Sequence, residues 1–194
     1  NQFVIKCTHD SGSVAICRDK TTFDFEAARQ KIEAGLNRNQ FYLSREWPYK
    51  NVKPCIIAEQ YMEDNETKEL RDYKFYCFNG EPKYCQVISD RTTNERIDFF
   101  DMDWIHQEFT GLGLPHKPFS DVSINKPVNF GKMKAFAKQL AEGIPFVRID
   151  FYEINSKLYF GEITFYPAAG FGCFYPDKWN YILGDMLELN LKNE

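Results

Sequence analysis

The chain has 194 residues, of which 43% are apolar and 16% aromatic, and its formal net charge is −4. This length suits one large domain or two small lobes, and the apolar fraction is ample for a buried core. The negative charge argues against a general nucleic-acid-binding surface. The sequence holds no apolar run that approaches the roughly 20 residues needed to span a bilayer. We therefore expect a globular protein with no integral membrane segment.

The six cysteines form no CxxC pair, and most lie in apolar runs. We expect all of them to be buried free thiols in a reducing cytoplasm. The chain begins with Asn1 rather than Met, and its first residues already form a predicted strand. We therefore expect that an upstream piece is missing.

The first predicted hairpin runs from Phe3 to Cys17 and carries a small polar loop at its tip. Backbone N–H groups of Ser11, Gly12 and Ser13 in such a loop can approach an anion. Lys6, at the end of the first strand, would add a point charge to the same phosphate. The GxxxxGK[ST] pattern of a Walker A loop is absent, and an ordinary hairpin explains these residues equally well.

A helix is predicted from Thr22 to Ala34, with Gly35 as its stop signal. The next predicted strand, Pro54–Met62, is apolar and buried until it turns polar near its end. Backbone N–H and C=O groups at the polar end of this strand can bind the edge of an adenine ring. An ordinary strand that leaves the core is an equally good interpretation. The residues at this end are Glu59, Gln60, Tyr61 and Met62.

A second hairpin is predicted around Asn79-Gly80, which is the strongest short hairpin signal. Alternation along the strand Leu70–Phe78 places Asp72 and Lys74 on one face, away from the apolar layer. An acid and a base in these positions indicate a phosphate or substrate site, and a salt bridge across the face is the alternative. The partner strand is expected over Lys83–Ile88.

The remaining elements follow from hydrophobic periodicity and turn residues. A strand is expected over Arg96–Asp101 and a long loop over 102–129. Two helices are expected, one over Phe130–Glu142 and one over Asp177–Leu191. The first helix should bury an apolar stripe that includes Phe136 and Leu140.

A third hairpin is predicted between Phe146 and Thr164. If its turn is centred on Ser156, Asp150 lies directly opposite Glu162, and Phe160 shares the face of Glu162. Two opposed carboxylates have Cβ atoms about 5 Å apart and repel each other, so a positive group should lie between them. Mg²⁺ suits this position because it binds one or two carboxylates together with water and phosphate. An ordinary solvated hairpin is the alternative, and a register slip of one residue would remove the pairing.

Taken in order, these residues resemble the ATP-grasp superfamily and, more closely, its TupA-like branch, which is associated with teichuronopeptide and other cell-surface polysaccharide synthesis. The likeness covers nearly the whole chain and is carried mainly by the runs Asp72–Gly80 and Gly161–Pro167. It implies an α+β ATP-grasp fold in which two α+β lobes, about residues 1–62 and 63–194, clamp ATP between antiparallel sheets. Since the chain begins close to Lys6, the resemblance also leads us to expect that the lobe that usually precedes the lysine of this fold is missing here.

The resemblance also implies the role of each candidate residue. Lys6 would bind phosphates under the loop that contains Ser11, Gly12 and Ser13, and Glu59–Met62 would form the adenine hinge. Lys74, Arg148 and Asp72 would be catalytic, because they would bind or orient the transferring phosphate and the substrate. Asp150, Glu162 and Thr164 would hold Mg²⁺, although the third of these positions is commonly Asn in the superfamily.

The function implied by the resemblance is an ATP- and Mg²⁺-dependent carboxylate–amine ligase that acts through an acyl phosphate. Its partners would be a small-molecule or polysaccharide-precursor carboxylate and an amine, in the bacterial cytoplasm or at the inner face of the membrane, and not nucleic acid. The alternatives are an ATP-binding module or sugar kinase without ligase activity, and a glycosidase that uses Asp150 and Glu162. The sequence leaves the two substrates and the oligomeric state open.

Overall fold

The computed structural model describes residues 2–65, 70–90, 94–112 and 117–189. The chain divides into two compact units, Asn1–Met62 and Glu63–Glu194. Within the described residues, no helix combines the length and the apolar character that a membrane crossing requires.

The first unit is built on a three-stranded antiparallel sheet with the order β2–β1–β3. Its strands are β1 (Phe3–Cys7), β2 (Val14–Cys17) and β3 (Ile56–Gln60), and its helices are α1 (Phe25–Leu36) and α2 (Gln40–Ser44). The expectation that β3 is buried is wrong. The strand is exposed along its whole length, because it lies at the edge of the sheet.

Helix α1 begins and ends later than predicted. It begins at Phe25 because the Asp24 side chain caps it by accepting a hydrogen bond of 2.9 Å from the Ala27 N–H. It continues through Gly35, the expected stop signal. A Cβ at Gly35 would lie 2.2 Å from Ser13 Oγ, so glycine is needed here for close packing rather than for ending the helix.

The second unit contains a five-stranded antiparallel sheet with the order β6–β5–β4–β8–β9. A separate pair, β7 with β10, and two helices complete the unit. The elements are β4 (Asp72–Phe78), β5 (Glu81–Ser89), β6 (Arg96–Asp101), β7 (Thr110–Gly111), α3 (Phe130–Leu140), β8 (Phe146–Ile154), β9 (Lys157–Thr164), β10 (Phe174–Tyr175) and α4 (Lys178–Gly184). The predicted hairpins over β4–β5 and β8–β9 are therefore confirmed.

The main core lies between α3 and one face of this sheet. Helix α3 contributes Phe130, Met133 and Ala137, which are all buried, and the sheet contributes residues such as Phe75 and Ile149. Tyr73, Phe75 and Cys77 point into this core, as alternation predicted. The prediction that α3 buries Phe136 and Leu140 is wrong, since both side chains are exposed.

The C-terminal helix is shorter than predicted. Helix α4 ends at Gly184, and the predicted end at Leu191 lies outside the described residues. Leu183 is buried in a second apolar cluster with Tyr76, Phe78 and Phe109. This cluster lies against the face of the sheet opposite to α3, because Tyr76 alternates with the residues that face α3.

All six cysteines are free, as predicted. Four of them are buried: Cys7, Cys17, Cys77 and Cys85. Cys55 and Cys173 are exposed, so the expectation of burial is wrong for these two. Both lie outside the strands and helices, where no packed layer covers them.

Candidate functional site

A row of polar side chains crosses the five-stranded sheet on the face opposite to α3. Gln86, Lys74, Asp150 and Glu162 lie directly opposite one another on β5, β4, β8 and β9. The first three are buried, whereas the Glu162 side chain is 58% exposed. The predicted pairing of Asp150 with Glu162 is confirmed, and the structure adds Lys74 to the same row.

The register of the β8–β9 hairpin differs near its turn from the predicted one. The turn consists of Asn155 and Ser156, which both have positive φ (50° and 61°), and it is flanked by the pair Ile154–Lys157. Such two-residue turns match the twist of the flanking strands. The turn is therefore not centred on Ser156.

A β-bulge at Gly161 restores the predicted pairing farther along the strands. Continued without interruption, the register set by the turn would place Gly161 opposite Asp150. Instead, Phe160 pairs with Phe151, Glu162 pairs with Asp150, and Gly161 between them is unpaired. Phe160 therefore shares a face with Phe151, and the expectation that it shares the face of Glu162 is wrong.

Glycine at position 161 allows the two strands to approach closely at the bulge. A Cβ at Gly161 would lie 3.0 Å from the Asp150 carbonyl oxygen and 3.1 Å from Tyr152 Cε2. Both distances are shorter than ordinary van der Waals contacts. The side-chain arrangement at Asp150 and Glu162 thus depends on a residue that has no side chain.

The positive group between the opposed carboxylates is the Arg148 guanidinium. Arg148 donates two hydrogen bonds of 2.8 Å to Asp150, one of 2.8 Å to Glu162 Oε1 and one of 3.1 Å to Thr164 Oγ1. Burial opposes the charge, but the neighbouring Asp150, Tyr76 and Glu162 raise the pKa of Arg148 above its usual value. Arg148 is therefore a fixed cation at this position.

Lys74 is the second cation of the site. Its Nζ lies 2.5 Å from Asp150 Oδ2 and 3.6 Å from Asp72 Oδ1, and the side chain is buried. Tyr152 lies opposite Asp72 in the register. Burial and the nearby Asp72 raise the pKa of Tyr152, so its hydroxyl stays protonated at neutral pH.

The site combines side chains of both charges. The carboxylates of Asp72, Asp150 and Glu162 outnumber the cations Lys74 and Arg148, so these five side chains carry one uncompensated negative charge. Carboxylate and hydroxyl oxygens are ligands that suit Mg²⁺. No cluster of three or more His, Cys, Asp or Glu side chains suited to a metal occurs in the parts of the chain that the structure describes. The residues predicted to hold Mg²⁺ supply two carboxylates, Asp150 and Glu162, and the Thr164 hydroxyl, and this role stays a prediction.

Two buried residues of the site were not identified from the sequence. Tyr76 lies opposite Arg148 in the register, and its hydroxyl donates a hydrogen bond of 3.1 Å to Gln86 Oε1. Gln86 Nε2 in turn donates a hydrogen bond of 3.3 Å to the Gly111 carbonyl oxygen. These two hydrogen bonds link Tyr76, the neighbour of Arg148, to the separate strand β7. Alternation places Tyr76 on the face of Lys74, and this signal could have identified it.

The candidate nucleotide-binding residues belong to the first unit. Lys6 and Glu59 lie on neighbouring strands, and Lys6 Nζ is 2.7 Å from Glu59 Oε2. Ser11 and Gly12 are exposed at the loop tip. Ser13, by contrast, is buried, and its hydroxyl bonds to Asp10 and, at 2.8 Å, to Arg38.

The rest of the predicted hinge follows Glu59 along the chain. Gln60 is the last residue of β3 and lies opposite Phe3 in β1. The Arg18 guanidinium lies 5.5 Å from the centre of the Tyr61 ring, and Met62 is half-buried. The structure brings Lys6 and Glu59 into contact, and the roles of all these residues in nucleotide binding stay predictions.

The α+β fold with its antiparallel sheets is that of an ATP-grasp protein. A family model described as TupA-like ATPgrasp matches residues 1–188. The chain therefore belongs to the TupA-like ATP-grasp family, and the resemblance noted in the sequence is confirmed.

Two solved structures of one enzyme are more distantly similar. D-alanine–D-alanine ligase from Bacillus anthracis complexed with ATP shares 12% identity at a TM-score of 0.40, over 84% of this chain and 39% of that one. A second structure of the Bacillus anthracis ligase shares 15% identity at a TM-score of 0.43, over 96% of this chain and 52% of that one. The chain thus spans about half the length of these ligases or less. No curated protein sequence matches it, and the family assignment depends on the family model.

Proposed function

We propose that this chain is an ATP- and Mg²⁺-dependent ligase that joins a carboxylate to an amine. Membership of the ATP-grasp family supports the use of ATP in a ligase-like reaction. The observation that carries the proposal is the pair of cations, Lys74 and Arg148, held by carboxylates on one face of the sheet. Cations fixed in this way can stabilise the charge on a phosphoryl group during its transfer.

The proposed reaction has two steps. A carboxylate oxygen of the substrate attacks the γ-phosphorus of ATP, and the bond from this phosphorus to the β,γ-bridging oxygen breaks, giving an acyl phosphate and ADP. The amine then attacks the acyl carbon, the bond from this carbon to the phosphate oxygen breaks, and an amide, inorganic phosphate and one proton are released. Positioning and charge stabilisation account for such catalysis, so the protein supplies no nucleophile.

In the proposed reaction, each charged or hydroxyl side chain of the site has a separate role. Lys74 binds the transferring phosphoryl group or the substrate carboxylate, and Arg148 steadies the phosphoryl group. Asp72, 3.6 Å from Lys74, orients the ammonium group. Asp150, Glu162 and Thr164 would hold Mg²⁺, which when bound neutralises phosphate charge as a Lewis acid.

The nucleotide is proposed to use residues of the first unit. Lys6 supplies positive charge for phosphate, and the exposed backbone of Ser11 and Gly12 supplies N–H donors. Ser13 contributes through its backbone, since its hydroxyl is bonded to Asp10 and Arg38. The segment Glu59–Met62 binds the adenine and the ribose.

The family's association with cell-surface polysaccharide synthesis supports a proposal about the substrates of the reaction and its cellular location. We propose that the carboxylate and the amine belong to precursors of such a polymer and that the reaction takes place in the cytoplasm. The same cations and metal ligands would also serve a kinase that phosphorylates a sugar hydroxyl, so the products must be identified.

The test compares Glu162→Gln with Glu33→Gln as a matched control. Each glutamate accepts a hydrogen bond of 2.8 Å from an arginine, and the side chains are 58% and 53% exposed. Neither substitution should unfold the protein, because both positions are solvated. ADP release is measured with Mg-ATP, candidate carboxylates such as uronates, and amino acids as amines, with hydroxylamine present in a parallel series to trap the acyl phosphate.

A ligase gives ADP, hydroxamate in the trapped series, and amide when the amine is present. Glu162→Gln should reduce ADP release at least about 100-fold, as expected when a group that stabilises the transition state is lost, and Glu33→Gln should leave it unchanged. Sugar phosphate without amide would indicate a kinase instead. Equal turnover by the parent and by Asp150→Asn would show that the metal assignment is wrong.

A further inference from the structure

A cavity of about 590 Å³ opens on the same face of the sheet as the buried polar row, within the second unit. Its wall includes Tyr76, Phe146, Phe165, Phe174, Leu183 and Gly184. Cavities of this size that are mainly apolar and have few polar groups are typical of small-molecule sites. The proposed ligase chemistry makes no use of this space.

The cavity lies next to the candidate site at two residues. Tyr76 lines the cavity and lies opposite Arg148 in the register. Phe165 also lines the cavity and directly follows Thr164, which lies opposite Arg148 on the other side. A ligand with its charged end at Arg148 therefore has apolar walls beside it.

The wall offers few hydrogen bonds to a polar ligand. The Tyr76 hydroxyl is bonded to Gln86. The Asn180 amide is bonded to the backbone of Phe174 and to Asp177. The third polar side chain of the wall, Tyr166, is half-exposed. A sugar placed here would leave its hydroxyls without partners, at a cost in free energy, whereas a hydrocarbon group would gain from leaving water.

We infer that the carboxylate substrate carries a hydrocarbon arm that occupies this cavity while its carboxylate meets Arg148 and Lys74. The inference rests on the proposed ligase function and names the class of substrate, a carboxylic acid with an apolar arm, in place of the uronates offered above as candidate carboxylates. The arm is either an unbranched alkyl chain or an aryl-alkyl group, which share the same chemistry.

Gly184 provides a way to fill the cavity without disturbing the fold. It is the last residue of α4, it lines the cavity, and a Cβ built on it meets no atom within 4 Å. Gly131 in α3 is a matched control, since it is also helical and exposed and a Cβ there meets no atom within 4 Å. Gly131 does not line the cavity. The two variants are Gly184→Phe and Gly131→Phe.

The first experiment measures binding of straight-chain alcohols from ethanol to octanol, without nucleotide, by titration calorimetry. In the parent and in Gly131→Phe, each added methylene should lower Kd about fourfold, equivalent to about 0.8 kcal/mol, until the cavity is filled. Gly184→Phe should abolish this dependence. Equal affinity for all alcohols in the parent, or the same dependence in both variants, would overturn the inference and leave the proposed ligase function untouched.

The second experiment measures kcat/KM for ADP release with acetate, hexanoate, octanoate and phenylpropionate. The value should rise with chain length in the parent and in Gly131→Phe, but not in Gly184→Phe. A larger value for phenylpropionate than for octanoate identifies an aryl-alkyl arm, and the reverse identifies an alkyl arm. Turnover without any dependence on the arm would overturn the inference. Absence of turnover with these four acids and with uronates, while alcohols still bind by length, would instead contradict the ligase assignment. Turnover with uronates alone would overturn the inference and leave the ligase assignment in place.

Discussion

Asp150 faces Glu162 across β8 and β9 although the turn of this hairpin alone would place Asp150 opposite Gly161. The two carboxylates meet because Gly161 is unpaired, and a single bulge shifts the register by one residue. The same pattern occurs in the β4–β5 hairpin, where the register shifts between Tyr76 and Cys77 and Lys74 comes to lie opposite Gln86. Both flanks of the polar row are therefore aligned by bulges.

Replacing Gly161 with Ala should destabilise the second unit. The added Cβ would lie 3.0 Å from the Asp150 carbonyl oxygen, so the strands must separate or the bulge must move. Overpacking of this kind costs about 1–3 kcal/mol. Urea unfolding followed by circular dichroism measures the change in free energy of unfolding.

The control for this variant is Gly131→Ala in α3. A Cβ there meets no atom within 4 Å, and alanine is favoured over glycine in a helix by about 1 kcal/mol. The control should therefore be at least as stable as the parent. Equal stability of Gly161→Ala and the parent would contradict the close contact at the bulge.

Removing the hydroxyl in Tyr76→Phe should lower both activity and stability. The hydroxyl bonds to Gln86, and its loss leaves Gln86 Oε1 without this donor, at a cost of about 1–3 kcal/mol. Because Tyr76 lies opposite Arg148 and helps to position it, kcat for ADP release should fall about tenfold or more, with little change in KM for ATP.

Tyr42→Phe is the matched control for Tyr76→Phe, since the Tyr42 side chain is exposed. It should leave both kcat and stability unchanged. A fall in stability without a fall in kcat would show that Tyr76 has a purely structural role. The split between kcat and KM therefore separates positioning of Arg148 from simple packing.

Alkylation by iodoacetamide at about pH 8 should distinguish the cysteines, because the thiolate is the reacting species. Cys55 and Cys173 are exposed and should react within minutes. Cys77 and Cys85 are buried, and burial raises the pKa of Cys77 to about 12 and that of Cys85 well above its usual value. Mass spectrometry should show two modified cysteines in the folded protein and all six in urea. Rapid modification of Cys77 without denaturant would contradict the packing under α3.

The free energy of unfolding should decrease at alkaline pH because Tyr73 ionises more readily in the unfolded chain than in the folded protein. Burial raises the pKa of Tyr73 to about 12, whereas an unfolded tyrosine has a pKa near 10. Above about pH 10 the unfolded chain has lost this proton and the folded chain still holds it, so the free energy of unfolding decreases as pH rises. Tyr73 should lower the free energy of unfolding by about 1.4 kcal/mol per pH unit between about pH 10 and 12. Below about pH 10 its contribution to stability is fully retained.

Urea titrations of the parent and of Tyr73→Phe at several pH values measure this slope. The variant cannot ionise at this position, so its stability should fall less steeply. An identical pH dependence in the two proteins would show that Tyr73 does not contribute, and that the alkaline loss comes from lysine deprotonation or from other tyrosines.

The hairpins of the second unit and the faces of their strands could be predicted because they depend on local signals. Asn79-Gly80 sets one turn, and alternation assigns Asp72 and Lys74 to one face. Neither bulge could be predicted, because a bulge depends on how two strands pack together and not on one strand. The pairing of Asp150 with Glu162 was predicted correctly from a turn centre that is wrong.

Burial was harder to predict than pairing. The apolar residues of β3 resemble those of a core strand, yet the strand lies at a sheet edge and is exposed. Gly35 resembles a helix stop, yet it serves contact with Ser13. In both cases the outcome depends on what packs against the residue, which a local pattern does not contain. Tyr76 and Gln86 were missed for the same reason, because their hydrogen bonds connect separate strands.

Because Gly161 is unpaired, the geometry of the site depends on the number of residues in β9 as well as on their identity. Deleting Gly161 would keep every charged and hydroxyl group of the site in the sequence. The register set by Asn155 and Ser156 would then continue without a bulge, and Asp150 would still pair with the glutamate. The strand would, however, lose the local bend and stronger twist that a bulge confers. A deletion and a substitution at this one position thus separate what the pairing of two carboxylates contributes from what the curvature of the strand contributes.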